Sequence, residues 1–107
     1  MRYNEVVQET TAVTIQSWKS EEVRTIFYGD NPGKGFPADL VRAARRRLQQ
    51  LDAAVAVTDM RTPRGNRLHE LEGDRQGAWS VSINDQFRIT FKWGAAGPEE
   101  VWIGDYH

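Results

Sequence analysis

Two runs of alternating residues, one turn apart, constrain this chain more than any other feature. Trp79, Val81 and Ile83 alternate with Ser80 and Ser82, and Phe87, Ile89, Phe91 and Trp93 alternate with Arg88, Thr90 and Lys92. Successive side chains of a strand point to opposite faces, so a period of two predicts a sheet with one apolar and one polar face. Asn84-Asp85 supplies a tight turn between the runs, which makes them an antiparallel hairpin. Gly94-Ala95-Ala96-Gly97-Pro98 is a second turn, and Val101-Trp102-Ile103 supplies a further strand.

An apolar sheet face needs a cover, and the preceding residues offer two helices. Ser20, followed by Glu21 and Glu22 and then Val23, Ile26 and Phe27, reads as a capped short helix, because a serine oxygen can take free N–H groups and early carboxylates suit the positive helix end. Gly29-Asp30-Asn31-Pro32-Gly33 stops it. Pro37 opens a second helix, in which Leu40, Ala44, Leu48 and Leu51 fall on one face and Arg42, Arg45, Arg46 and Gln49 on the other. Arg47 lies closer to the apolar stripe, where its stem can snorkel. Helices followed by hairpin-linked strands predict an α+β fold, two N-terminal helices on an antiparallel sheet of about four to five strands. Val13–Trp18 reads as a short strand with imperfect alternation. Residues 1–13 read as an N-terminal extension, either a flexible lead-in or an added edge strand, ahead of a single domain at 14–107.

Charge is distributed unevenly. The 107 residues carry 14 Lys and Arg against 15 Asp and Glu, a formal net charge of −1. That total argues against a generic polyanion binder. Residues 41–70, however, hold 7 basic and 3 acidic groups, whereas residues 71–107 hold 3 basic and 6 acidic. The basic segment comprises Arg42, Arg45, Arg46, Arg47, Arg61, Arg64 and Arg67. Such a cluster suits phosphate-backbone contact, an acidic partner protein, or simply a solvated helix face. With 0 cysteines, disulfides and thiolate chemistry are excluded. No apolar run approaches the roughly 18 residues of a membrane span, and no signal peptide is evident, so the cytoplasm is the expected compartment.

Few residues can carry chemistry. The 2 histidines, His69 and His107, titrate near neutrality and suit proton transfer, or else are ordinary surface side chains. Arg88 is expected to project from the polar sheet face, where a guanidinium can grip a phosphate; the competing reading is a salt bridge on an exposed face, for instance with Glu72 or Asp105. Arg75 sits in Gly73-Asp74-Arg75-Gln76-Gly77, a turn composition. Of the 4 tryptophans, Trp18, Trp79 and Trp93 are expected in the core, while Trp102 alternates away from Val101 and Ile103 and is the one suited to stacking on a base. No metal-binding motif is present, and no metal or cofactor is expected.

Three blocks go further. Arg67-Leu68-His69-Glu70-Leu71-Glu72-Gly73-Asp74-Arg75-Gln76-Gly77-Ala78-Trp79-Ser80-Val81 resembles the central signature of the HigB toxins, a branch of the RelE-like superfamily. Phe87-Arg88-Ile89-Thr90-Phe91 looks like that family's next strand, and Asp105-Tyr106-His107 is similar to its terminal signature. The resemblance runs from about residue 14 onward. It implies a compact RelE-like fold and a toxin of a type II toxin–antitoxin pair that cuts messenger RNA in the ribosomal decoding site. The implied partner is a HigA-like helix-turn-helix antitoxin, which represses the shared operon, so that DNA is met only through the antitoxin.

In that family reading a ribose 2′-OH attacks the adjacent phosphate and displaces the 5′-oxygen. The reaction needs a base, an acid and a cation for the charged transition state. The resemblance assigns His69 and His107 to acid–base work in either order, Arg88 to the scissile phosphate, Asp105 and Tyr106 to orienting His107 or the RNA, and Arg75 to support. Arg42, Arg45, Arg46, Arg64 and Arg67 are the candidate contacts to RNA and ribosome. One position departs from the pattern: the family commonly carries lysine where Glu72 stands, with Glu70 adding a second carboxylate beside His69. A glutamate repels phosphate where a lysine attracts it, so Glu72 is read as a supporting residue whose presence weakens RNA binding, shifts the acid–base work toward itself, or leaves a toxin of low activity. A weakly active relative that acts through antitoxin binding and operon control is therefore the runner-up, and a plain RNA-binding module the third reading.

Overall fold

The computed structural model describes residues 14–30, 32, 36–73 and 77–105. Among them the chain forms two α-helices and a four-stranded antiparallel sheet, an α+β architecture compatible with the expected one. Helix α1 (Glu21–Phe27) starts as its sequence requires: Ser20 is the N-cap, and its Oγ accepts from Val23 N at 3.3 Å. Tyr28 closes the helix onto Arg24 O, and Gly29, at φ 91°, turns the chain away. Helix α2 (Ala38–Ala53) begins one residue later than expected, with Pro37 as the N-cap itself. Its buried residues are the four the spacing selected, Leu40, Ala44, Leu48 and Leu51.

The strands are β1 (His69–Glu70), β2 (Ala78–Ser82), β3 (Phe87–Gly94) and β4 (Gly97–Asp105), in that order across the sheet. The β2–β3 turn is organised by Asn84, whose Oδ1 accepts from Gln86 N at 2.8 Å and Phe87 N at 2.7 Å. The register pairs Val81 with Ile89 and Ile89 with Ile103, so the apolar residues share one face. That face meets α1 and α2 in a single core with Val23, Ile26, Leu48, Phe91 and Val101, all essentially buried. Arg47 reaches from α2 to the sheet, its Nε donating to Ser82 O at 2.7 Å. Burial, and secondarily the neighbouring Arg46, hold the Arg47 guanidinium below its ordinary value. The snorkelling position read from its place beside the stripe is the one observed.

Two expectations need correction. Thr14–Lys19 is extended but is not a strand of the sheet: it lies parallel along the outer edge of β4 through a single bridge, Trp18 to Val101. Its bonds are Gln16 N to Pro98 O (2.7 Å), Val101 N to Ser17 O (3.1 Å) and Lys19 N to Val101 O (2.8 Å). The irregular spacing of Ile15 and Trp18 accounts for the missing ladder, and Pro98, which has no N–H to give, sits where an edge strand tolerates it. Val13 and the proposed extension at 1–13 lie outside the described residues. Trp18, Trp79 and Trp93, expected in the core, pack on its margin and stay partly exposed. A large amphipathic ring fits more readily at the rim of so small a core than at its centre.

Candidate active site on the sheet face away from the helices

The sheet face away from the helices is built by the same register. His69 pairs with Ser80, Ser80 with Thr90 and Thr90 with Trp102; in the next row Ser82 pairs with Arg88 and Arg88 with Gly104. These residues therefore share one face. Serine, threonine and glycine make a floor of small side chains, and the three large ones, His69, Arg88 and Trp102, lie above it. Ser80 is fully buried and Thr90 is 4% exposed.

Arg88 stands where the alternation of β3 put it, on the polar face. Arg88 is only 9% exposed, so the face is not the exposed one that the competing reading assumed. Its Nη1 lies 3.2 Å from His69 Nε2. The other ring nitrogen, Nδ1, lies 3.3 Å from Arg67 O. A guanidinium can only donate and a carbonyl can only accept, so both contacts are hydrogen bonds in the tautomer that carries its proton on Nδ1 and turns the Nε2 lone pair to Arg88. A basic nitrogen and a buried cation thus meet at one point, an arrangement that can take a proton and bind an anion together.

The loop before β1 sets this geometry. Asn66 is fully buried, and its Nδ2 donates to Met60 O (3.0 Å), Thr62 O (3.3 Å) and Gln50 Oε1 (3.2 Å). Arg67 follows in the left-handed region at φ 48°, which aims its carbonyl at His69. Asn66, Ser80 and Thr90 were not among the sequence candidates. Gly65-Asn66 ahead of His69 is a composition that suits a held turn, and that was the available signal.

The remaining candidates fall in different places. Arg67 and Arg64 are exposed in the loop that leads into His69. Arg42, Arg45 and Arg46 belong to α2, which covers the opposite sheet face, so the structure does not bring them to His69 and Arg88. Two of these three also have local partners: Arg42 pairs with Asp39 at 2.7 Å, and Arg45 Nε caps α1 by donating to Ile26 O at 2.8 Å. They line a groove of about 430 Å³ with Phe36 and Val41, away from the site. Asp105 shares its register with Phe87, off the Arg88 face, and its carboxylate accepts from Gln86 Nε2 at 3.1 Å. Glu70 pairs with Trp79, also off that face. Glu70 and Glu72 are exposed and line a small acidic cavity with Leu71 and Gly73. Arg75, Tyr106 and His107 lie outside the described residues. Among the described residues no helix is long and apolar enough to cross a membrane.

The fold is thus a two-layer α+β domain with a histidine–arginine pair on the sheet face away from the helices. Comparison with known proteins makes the class specific. Residues 16–107 match the model of the HigB-like toxins, described as the RelE-like toxin of the type II toxin–antitoxin system HigB. Toxin HigB-1 of Vibrio cholerae is 36% identical over 76 residues, 71% of this chain and 80% of that protein. Endoribonuclease HigB of Proteus vulgaris is 31% identical over 93 residues, 87% of this chain and 99% of that protein. The chain belongs to the HigB-like toxin family, whose members pair with an antitoxin.

Proposed function

We propose that this toxin is a ribosome-dependent endoribonuclease that cuts messenger RNA by attack of a 2′-OH on the adjacent phosphate. The observation that carries the reading is the 3.2 Å contact between Arg88 Nη1 and His69 Nε2 on the sheet face away from the helices. The name of the Proteus vulgaris relative, Endoribonuclease HigB, supports it.

The chemistry follows from what each group can do. An incoming phosphate competes for the Arg88 guanidinium, which binds oxyanions more strongly than it binds a neutral ring. That competition frees the Nε2 lone pair of His69, which takes the proton of the 2′-OH as the 2′-oxygen bonds to phosphorus. The bond from phosphorus to the 5′-oxygen breaks, and His107 supplies the proton to that oxygen. A 2′,3′-cyclic phosphate remains. Arg88 offsets the charge that builds on the phosphoryl oxygens. The nucleophile belongs to the RNA, so the scheme calls on no cofactor. Arg64 and Arg67 flank the entry to His69 and hold the RNA backbone; Arg42, Arg45 and Arg46 serve ribosome contact on the far side; Arg75, Asp105 and Tyr106 support the terminal histidine. A HigA-like helix-turn-helix antitoxin is the partner, and through it alone the pair meets operator DNA.

The exposed carboxylates Glu70 and Glu72, beside the strand that carries His69, favour one second reading, an attenuated toxin that acts chiefly through its antitoxin. Induction of the toxin without its partner, with 5′ ends mapped across translated messages, tests both. The nuclease reading expects new ends that require translation and vanish in His69→Ala, Arg88→Ala and His107→Ala variants. An unchanged RNA profile with normal growth sinks it and leaves the second reading.

A further inference from the structure

Trp102 has no part in the acid–base and anion-binding chemistry, and, although it packs against the core margin, it stays partly exposed. Its neighbours Val101 and Ile103 are turned inward, at 0% and 5% exposure, while Trp102 is half-buried on the other face, across from Thr90. Its position there is not accidental packing around a bulky neighbour. A Cβ built on Gly104 would meet the indole six-membered ring of Trp102, at Cη2 and Cζ3. Gly104 has no positive φ to explain it as a glycine. Its glycine is accounted for by the indole, which lies down over the bare backbone. Gly104 is in turn the register partner of Arg88. One face of the ring therefore rests on the sheet, and the ring sits one strand away from the guanidinium. Neighbouring strands lie about 4.8 Å apart, the scale of the ribose that separates a phosphate from its base.

We infer that Trp102, seated on Gly104, is a stacking platform for the nucleobase next to the phosphate held by Arg88. The inference rests on reading this face as an RNA site and adds a binding subsite to it. Every base has a π-face, so the platform contributes affinity and position with little base preference. The ligand is a single-stranded nucleotide segment whose base lies flat on the indole while its phosphate reaches Arg88 and His69.

The test uses the purified full-length protein at low salt. It is titrated with a trinucleotide made uncuttable by 2′-deoxyribose at the cleavage position, and with counterparts in which each base in turn is replaced by hydrogen. The wild type and Trp102→Phe are expected to lose about tenfold to a hundredfold in affinity when one particular base is removed. Trp102→Leu and Gly104→Ala, the latter pushing the indole off its seat without deleting it, are expected to bind the intact and abasic ligands alike. Arg88→Ala should weaken every ligand by a similar factor. Thermal melting checks that the variants fold, and if Trp102→Leu does not, Gly104→Ala decides. Equal binding of intact and abasic ligands by the wild type, binding of neither, or a gap that survives in Gly104→Ala overturns the platform. Missing cuts in cells with the gap intact refute the nuclease reading alone, and cuts without a gap refute the platform alone.

Discussion

Replacing Arg88 by methionine separates a residue kept for function from one kept for folding. Arg88 is 9% exposed on a face lined by serine, threonine and glycine, and methionine preserves its linear stem there. What the variant loses is the guanidinium, whose contacts include the one to His69 Nε2 at 3.2 Å but are not confined to it. Hydrogen bonds to a charged group contribute about 1.5–3 kcal/mol. This one belongs at the low end, because it is longer than the roughly 2.7–2.9 Å of strong charge-assisted bonds and His69 is exposed. What the variant gains is relief from desolvation, an effective cost of several kcal/mol for a buried ion. With the further Arg88 interaction added to this bond, the lost contacts and the relieved desolvation come to similar size and opposite sign. Arg88→Met should therefore stay within about 1 kcal/mol of the wild type, which for a domain of this size is about 4–6 °C in melting temperature. Cleavage should fall about a hundredfold to a thousandfold, the usual loss when a preorganised donor to a charged transition state is removed.

Urea and thermal unfolding give the first quantity, and 5′-end mapping after induction gives the second. A stability loss of about 3 kcal/mol or more would match the breaking of a buried pair that holds the fold, and would refute the balance argued here. Undiminished cleavage by a stably folded Arg88→Met would refute the catalytic role.

Further outcomes follow from other contacts. Gly97 has φ +129°, and a Cβ there would meet Thr14 O, so Gly97→Ala should cost about 1–3 kcal/mol and loosen the strap along β4, read as faster amide exchange at Gln16 and Lys19. Arg47→Ala removes the 2.7 Å bond to Ser82 O and should lower stability by about 1–2 kcal/mol in urea unfolding. Its lowered pKa means that folding disfavours the charged form, a penalty present at all pH below the folded pKa and relieved only in alkali, so wild-type stability should show no Arg47-dependent change through the neutral range. Glu72→Lys reverses an exposed charge beside β1 and should raise RNA binding and cleavage a few-fold at low salt, an effect that fades as salt screens it.

The parts of this architecture legible in the sequence are those set by local rules. The period of two in β2 and β3 determined which residues face the helices, and Arg88 followed from that without any knowledge of its neighbours. Ser20 and the Leu40–Leu51 stripe were legible for the same reason, because caps and helical spacing act within a turn or two. What was not legible depends on contacts between distant segments. The burial of Arg88, its contact with His69 nineteen positions earlier, and the seat of Trp102 on Gly104 all arise from strand register. The basic helix face illustrates the opposite error. Arg42, Arg45 and Arg46 are contiguous in charge with Arg64 and Arg67, yet the first group lies along α2, with Arg42 and Arg45 tied to Asp39 and Ile26 O, and the second lies in the loop that leads into His69. Charge counted along the chain merged surfaces that the fold separates.

Strand β3 makes the core and the site inseparable. Ile89 and Phe91 supply its buried side, and Arg88 and Thr90 supply the face that meets His69 and Trp102. A slip of one residue in its pairing would send every side chain to the wrong face, exposing two core residues and burying the arginine among leucines. The cost of that slip includes the transfer of two large apolar side chains to water, about 1.5–3 kcal/mol each, before the stranded charge is counted. The register that positions the guanidinium against the imidazole is therefore enforced by the hydrophobic side of the same strand. In the proposed site the guanidinium therefore owes its place to its apolar neighbours on the same strand, not to an excess of lysine and arginine over the whole surface.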